Sequence, residues 1–209
     1  MIQLMKKQLF PEQMKILYQK PFTPQTLEQD FEIKGGEWYV ENGWLTGKNK
    51  ENFAAMVISK ADYYGPVFME FDARTIPPCT HDINVMWHGS WNLKSNTRDV
   101  AYVAGLQGWW DGKVGFEKSP EYQFNVGTQL FPFEPGRQYH MAVGDIRGHI
   151  FVVVDGQLVL EITDPNPIDD CRFGKIGFEA YCSQLQFKNL CIREAVYQPD
   201  EKSYTPEFE

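Results

Sequence analysis

The stretch HIFVVVDGQLVLEIT, residues His149–Thr163, decides the fold class of this chain. Two alternating, mostly apolar runs flank the pair Asp155-Gly156. An Asp-Gly pair in this setting is the strongest short-range hairpin signal, because both central residues of the tight turn need a positive φ. The stretch therefore predicts two antiparallel strands joined by a two-residue turn.

The same pattern recurs on both sides of this hairpin. The segment EWYVENGWLTGK carries the turn pair Asn42-Gly43, and other short apolar runs of period two are separated by glycine, proline and Asx turns. Antiparallel sheets show this pattern, whereas βαβ units would alternate strands with helices. Helical turns are expected only within residues 1–20. We therefore predict an all-β sandwich with at most a short N-terminal helix.

Length and composition fit one domain. The chain has 209 residues, of which 43% are hydrophobic and 15% aromatic, and single all-β domains commonly reach about 200 to 250 residues. We predict one domain over residues 1–209. Within it, residues 1–20 are an N-terminal extension and residues 197–209 an acidic tail.

The charge of the chain limits its partners. The formal net charge is −8, and the lysines and arginines are scattered, so no basic surface for a phosphate backbone is expected. No apolar run approaches the roughly 18 residues of a membrane span. We expect neither nucleic acid nor membrane as a partner, and a monomer or small homo-oligomer.

The cysteines and the N-terminus indicate the compartment. The first residues lack the apolar core and the cleavage site of a signal peptide, and no two cysteines have C-x-x-C spacing. We therefore predict free thiols at all four cysteines, namely Cys79, Cys171, Cys182 and Cys191. The preferred interpretation is a cytoplasmic protein, and the alternative is a chain from which a leader has been removed.

Several segments together resemble a known superfamily. They are WYVENGWLTGK, FMEFDAR, GRQYHMAVGDIRGHIFVVVDGQLVLEITDP and GKIGFEAYCSQLQFKNLCIRE. In succession they are similar to the concanavalin A-like lectin/glucanase group and, more narrowly, to the YesU-like family of bacterial domains. The likeness runs from about Phe31 to Glu194. It implies a jelly-roll sandwich of two curved antiparallel sheets whose concave face holds a saccharide.

Two polar rows follow from strand alternation. In VFMEFDART, Glu70, Asp72 and Arg74 share one face, opposite the apolar residues. In HDINVMWHG, the corresponding row contains Asp82, Asn84, Met86 and His88. If the two strands pair, the rows are neighbours on one sheet face. The simpler interpretation is a solvated sheet surface.

The row in VFMEFDART can be compared with laminarinase-like members of the superfamily, which carry E-x-D-x-E or E-x-D-x-x-E on such a strand. Glu70 and Asp72 match the nucleophile and the aspartate beside it, but Arg74 or Thr75 stands where the acid/base glutamate belongs. Retaining hydrolysis needs two carboxyl groups, and arginine cannot protonate a leaving group. Arg74 can instead pair with the neighbouring carboxylates.

Tryptophans near the second row suggest a sugar-binding surface, because a flat indole packs well on the apolar face of a pyranose. The candidates are Trp91, Trp109 and Trp110. Trp109 shares strand parity with Gln107 and is expected in the groove, whereas Trp110 is expected in the core.

A lyase would use other residues. Elimination next to a uronic acid carboxylate needs a base such as histidine or tyrosine and a cation that neutralises the enolate. His88, Tyr102, Arg98 and Lys118 could serve, with Glu117 beside them. The YesU-like family has a basic residue followed by serine in this region, and Lys118-Ser119 fits that pattern.

A metal site is the weaker option. The loop TDPNPIDD offers calcium-type oxygen ligands from Asp164, Asn166, Asp169 and Asp170, but it lacks EF-hand spacing. A solvated acidic loop is the preferred interpretation, and we expect no cofactor.

These observations leave two functions open. The first is a carbohydrate-active enzyme, a hydrolase or a lyase on uronic or modified sugars; the second is a non-catalytic carbohydrate-binding module. In both cases the expected ligand is an oligosaccharide in a concave-face groove. The catalytic candidates are His88, Glu117, Glu70 and Asp72. The substrate-binding candidates are Trp109, Trp110, Trp91, Asn84, Arg74, Gln107, Lys118 and Tyr102.

Overall fold

A computed structural model describes residues 1–108, 114–120, 124–128 and 132–200. Antiparallel strands dominate these ranges, as predicted, and helical structure is limited to α1 (Pro24–Asp30) and a 3-10 turn at Pro11–Gln13. Neither of these described helical segments is long and apolar enough to cross a membrane.

Two sheets make up the body of the molecule. We call the seven-stranded sheet the front sheet and the eight-stranded sheet the back sheet. The front sheet has the order β14 (Phe124–Thr128), β13 (Val114–Ser119), β12 (Ala101–Leu106), β9 (Ile83–Gly89), β18 (Lys175–Ala180), β7 (Ala55–Ser59) and β4 (Phe31–Lys34). The back sheet has the order β17 (Gln157–Thr163), β16 (His149–Val154), β15 (Tyr139–Ile146), β8 (Val67–Thr75), β19 (Gln184–Glu194), β6 (Trp44–Lys48) and β5 (Glu37–Glu41), and β3 (Ile16–Gln19) also pairs with β19.

Two small sheets lie on the outer faces of this body. One consists of β1 (Ile2–Leu4), β2 (Lys7–Leu9) and β20 (Gln198–Pro199). Its Leu4 and Leu9 pack on Phe68 and Phe151 of the back sheet. The other is the hairpin of β10 (Trp91–Asn92) and β11 (Thr97–Arg98).

The N-terminal region differs from the prediction. Residues 1–20 contain the strands β1 to β3, and the α-helix follows them. The helix begins after Thr23, whose side chain forms a capping box with Thr26, and Pro24 fits the first turn because that position needs no N–H donor.

The predicted tight turns are confirmed. Asp155 and Gly156 have φ values of 50° and 81° between β16 and β17, and Asn42 and Gly43 have φ values of 52° and 76° between β5 and β6. Positive φ at both central residues is the type I′ geometry that matches the twist of paired strands.

The core fills the space between the two sheets. Phe178 of the front sheet stacks on Phe187 of the back sheet with ring centroids 4.1 Å apart, and Phe71 contacts both rings. Trp87 is fully buried in the same cluster. Since alternate residues of each strand enter this core, the remaining side chains face outward.

The segments VFMEFDART and HDINVMWHG do not pair, so the condition for neighbouring polar rows is not met. The first segment forms β8 of the back sheet and the second forms β9 of the front sheet. The connection between them, residues 76–82, crosses the roughly 10 Å between packed sheets. The two polar rows therefore face away from each other on opposite surfaces of the sandwich.

Candidate functional site

The outer face of the front sheet is partly apolar. Met56, Met86 and Val103 point outward and are fully buried. The half-buried indole of Trp91, from the β10–β11 hairpin, packs against this cluster, and Lys34 lies 5.7 Å above the indole ring. The hairpin thus covers part of the face.

Beside this apolar patch lie two buried glutamates from distant strands. Glu117 on β13 is 2% exposed and Glu179 on β18 is 6% exposed. The guanidinium of Arg98 contacts both, through Nη2 to Glu117 and Nη1 to Glu179. Its Nε donates to Ser119 Oγ at 3.0 Å. One arginine of the covering hairpin therefore links two strands of the sheet.

A third carboxyl group joins them just before β9. Asp82 is 6% exposed, and its Oδ1 accepts a hydrogen bond of 2.8 Å from Asn84 Nδ2. Its Oδ2 accepts from the backbone N–H of Tyr181 at 3.0 Å. Asn84 stands directly opposite Glu179 in the sheet. We call Asp82, Glu117 and Glu179 the acidic cluster.

Burial raises the pKa values of Asp82 and Glu179 in this cluster. Desolvation, reinforced by the nearby charge of Glu179, raises the pKa of Asp82 to about 7. Desolvation also raises the pKa of Glu179, against the opposing effect of Arg98. A carboxyl group with a pKa near neutral, such as that of Asp82, is frequent at functional sites because it can donate or accept a proton there.

A strip without side chains continues from the acidic cluster toward the edge of the sheet. Gly105 lies opposite Asn84, Gly115 lies opposite Gly105, and Gly127 lies opposite Gly115. We call these three residues the glycine strip. Gly127 on the edge strand is exposed. At strand spacings of about 4.8 Å, the strip spans roughly 10 Å.

The side-chain amide of Asn84 projects over this strip. A Cβ atom added to Gly105 would lie 2.1 Å from Asn84 Oδ1, so this oxygen occupies the space outside Gly105. Asn84 is 3% exposed, and its Oδ1 has no hydrogen-bond partner among the described residues. A buried acceptor without a donor is costly. The arrangement suits a ligand that carries hydroxyl groups.

His88 does not take its expected place on the outer face. Its φ of 45° breaks the strand alternation and turns the imidazole toward the interior. There Nε2 lies 2.6 Å from Oδ1 of Asp145 on β15, which also accepts from Trp87 Nε1 at 3.2 Å. His88 therefore joins the two sheets and is fully buried.

Tyr102 and Lys118 also lie between the sheets, contrary to their expected groove positions. The Tyr102 hydroxyl donates to Asp164 Oδ2 at 2.8 Å, and Lys118 Nζ lies 2.8 Å from the same oxygen. Burial acts to raise the pKa of Asp164, but its hydrogen-bond donors outweigh burial and lower it. Of the proposed bases and cations, Arg98 faces outward, whereas His88, Tyr102 and Lys118 lie inside the sandwich, so no such pair comes together on the outer face.

The row of Glu70, Asp72 and Arg74 lies on the outer face of the back sheet. Glu70 pairs with Arg193. Asp72 accepts from Asn189 Nδ2 at 2.8 Å and contacts His140 Nδ1 at 2.9 Å. Arg74 donates to Gln186 and lies 4.3 Å from the ring of Trp44. These residues form an ion-pair and hydrogen-bond ladder away from the acidic cluster.

The structure describes two of the four remaining sugar-binding candidates. Trp91 reaches the front face, as described above. Gln107 is half-buried just after β12 with a φ of 57°. Trp109 and Trp110 lie outside the described residues, so their expected roles in groove and core stay predictions.

The loop considered for calcium does not bring all its candidates together. Asp164 is held by Lys118 and Tyr102. Among the described residues, the group with metal-type spacing is Asp169, Asp170 and Cys171, which lies at the surface. Exposed acidic groups of this kind are common without a metal, so the calcium option gains no support.

Sequence analysis missed two members of the acidic cluster. Glu179 lies between the core residues Phe178 and Ala180, and an ionisable residue inside such an apolar strand was the available signal. Asp82 was assigned to a polar row, but its contact with Asn84 depends on a φ of 80° that the sequence pattern does not reveal.

The fold belongs to the galectin-like and concanavalin A-like β-sandwiches. No protein-family model and no curated protein matches the sequence. Among solved structures, a Bacillus subtilis protein of unknown function with a galectin-like fold has a TM-score of 0.64 at 13% identity, covering 91% of this chain and 99% of that chain.

Two further structures show the same architecture. A carbohydrate-binding module from Bacillus subtilis has a TM-score of 0.62 at 15% identity, covering 78% of this chain and 95% of that chain. A structure from work on endo-acting O-glycanases of human gut bacteria has a TM-score of 0.60 at 12% identity, covering 86% and 99%. At these identities the likeness shows the fold.

Proposed function

We propose that the protein binds an oligosaccharide on the outer face of the front sheet, along the glycine strip. The main support for this site is Oδ1 of Asn84, which is buried, has no hydrogen-bond partner among the described residues and projects over Gly105. A sugar hydroxyl would donate to this oxygen, with the ligand entering from Gly127, the exposed end of a strip whose Gly105 and Gly115 are buried. The sugar-binding and glycan-cleaving structural neighbours support this choice of ligand.

A calorimetric screen against neutral and acidic tetrasaccharides tests the proposal. For a ligand that binds, Asn84→Ala is expected to weaken affinity by about tenfold, because one hydrogen bond contributes on the order of 1.4 kcal/mol. Gln186→Ala, on the outer face of the back sheet, is the matched control and should leave affinity unchanged. Absence of any binding, or equal effects of the two variants, would refute the site.

Glycoside hydrolysis is the second candidate function. It is favoured by the acidic cluster, in which the pKa values of Asp82 and Glu179 are raised by burial. A protonated carboxyl can donate to a glycosidic oxygen while a second carboxylate acts as base or nucleophile. Detection of shortened products that disappear in Glu117→Gln would establish an enzyme. Binding without product would establish a carbohydrate-binding module.

The narrower kinship with YesU-like domains is part of the same proposal. It rests on the residues GKIGFEAYCSQLQFKNLCIRE and the neighbouring hairpins. In the structure this segment supplies β18, which contributes Glu179 to the front face, and β19, which pairs with β8 in the back sheet.

A further inference from the structure

We infer that the ligand of this face is an uncharged oligosaccharide and that chains of uronic acids are excluded. This inference rests on the proposed saccharide site. The basic and histidine residues of the sequence suggested uronic sugars as the ligand, and we propose neutral sugars in their place.

The charges that face the site favour this assignment. The acidic cluster supplies carboxyl groups from three segments of the front sheet, and Arg98 supplies one guanidinium. From the far edge, β4 adds Glu32 and Lys34, which pair with each other. With Asp82 protonated and Glu179 ionised, the carboxylates of Glu32, Glu117 and Glu179 exceed the cations of Lys34 and Arg98 by one charge.

The guanidinium of Arg98 already contacts protein side chains through all three of its nitrogens. Its two terminal nitrogens contact Glu117 and Glu179, and its Nε contacts Ser119. A ligand carboxylate would therefore meet a cation whose charge is balanced. Because both glutamates are at most 6% exposed, their repulsion of an incoming carboxylate is screened weakly by water.

Several other cations among the described residues lie away from the acidic cluster. Lys118 is held inside the sandwich by Asp164. Arg74, Lys188 and Arg193 lie on the outer face of the back sheet, where they contact Trp44 or Glu70. The whole chain carries a formal charge of −8, which also disfavours approach of a polyanion.

The test compares each neutral hexose tetramer with its own C6-oxidised form. Cellotetraose, laminaritetraose, mannotetraose and galactotetraose are titrated into the protein near neutral pH, followed by the corresponding tetrauronates. We expect at least one neutral tetramer to bind and its oxidised form to bind at least tenfold more weakly. This comparison uses the unaltered protein and does not depend on any variant folding.

Two variants test whether the acidic cluster causes the preference for neutral over oxidised tetrasaccharides. Glu179→Gln, which removes one negative charge with little change in shape, should reduce the ratio between neutral and oxidised ligand. Glu70→Gln on the back sheet should leave it unchanged. Equal or tighter binding of a tetrauronate would overturn this inference but leave saccharide binding intact. Failure of both sugar classes to bind would overturn the proposed function and the inference with it.

Discussion

The imidazole of His88 and the carboxylate of Asp145 join the two sheets through a contact of 2.6 Å between Nε2 and Oδ1. His88 belongs to β9 of the front sheet and Asp145 to β15 of the back sheet. The two side chains are 0% and 2% exposed. Asp145 also accepts from the backbone N–H of Gly148 at 2.9 Å, which ties the β15–β16 turn to the same group.

This contact predicts a large stabilising role for His88. His88→Asn keeps a residue that tolerates the positive φ but leaves Asp145 without its imidazole partner. We expect the free energy of unfolding in urea to fall by about 3 kcal/mol, since the buried carboxyl group of Asp145 loses one of its hydrogen-bond partners. His140→Asn is the control, because His140 contacts Asp72 but has a half-exposed side chain. It should cost under about 1 kcal/mol, and equal losses would contradict the account.

The raised pKa of Asp82 predicts a dependence of stability on pH. Its folded-state pKa is about 7 and its ordinary value is 3.8. Between these values the folded protein keeps a proton that the unfolded chain releases, so the free energy of unfolding falls as pH rises toward 7. Denaturant titrations from pH 5 to 8 should show a slope steeper by up to about 1.4 kcal/mol per pH unit than in Asp82→Asn. Parallel slopes would show that Asp82 is ionised throughout.

Arg98 is expected to stabilise the front face by neutralising Glu117 and Glu179. Arg98→Ala should lower the free energy of unfolding by about 3 to 5 kcal/mol, because both carboxylates stay buried without their cation. Adding Glu179→Gln to this variant should recover part of the loss. Arg193→Ala, which unpairs Glu70 on the more exposed back face, should cost no more than about 2 kcal/mol. Equal costs, or no recovery in the double variant, would argue against a coupled cluster.

Local sequence patterns predicted the strands and their turns but could not assign strands to sheets. Asn42-Gly43 and Asp155-Gly156 encode their turns in neighbouring residues, so they could be identified directly. The partner of β8 could not, because alternation shows that a strand has a buried face and leaves open which sheet it joins. The assignment depends on packing between distant segments.

The candidate site was predictable only in part for related reasons. Parity correctly placed Asn84 on an outward face. It failed for His88, where one positive φ reverses the direction of the side chain. Glu179 comes from a strand about a hundred residues along the chain from Asp82, and only the sheet order brings the two together.

A crystal structure with the tightest-binding tetrasaccharide tests the central claim most directly. We expect sugar rings along the glycine strip, with a hydroxyl within about 3 Å of Asn84 Oδ1. Sugar bound instead on the outer face of the back sheet, beside Glu70 and Trp44, would contradict it.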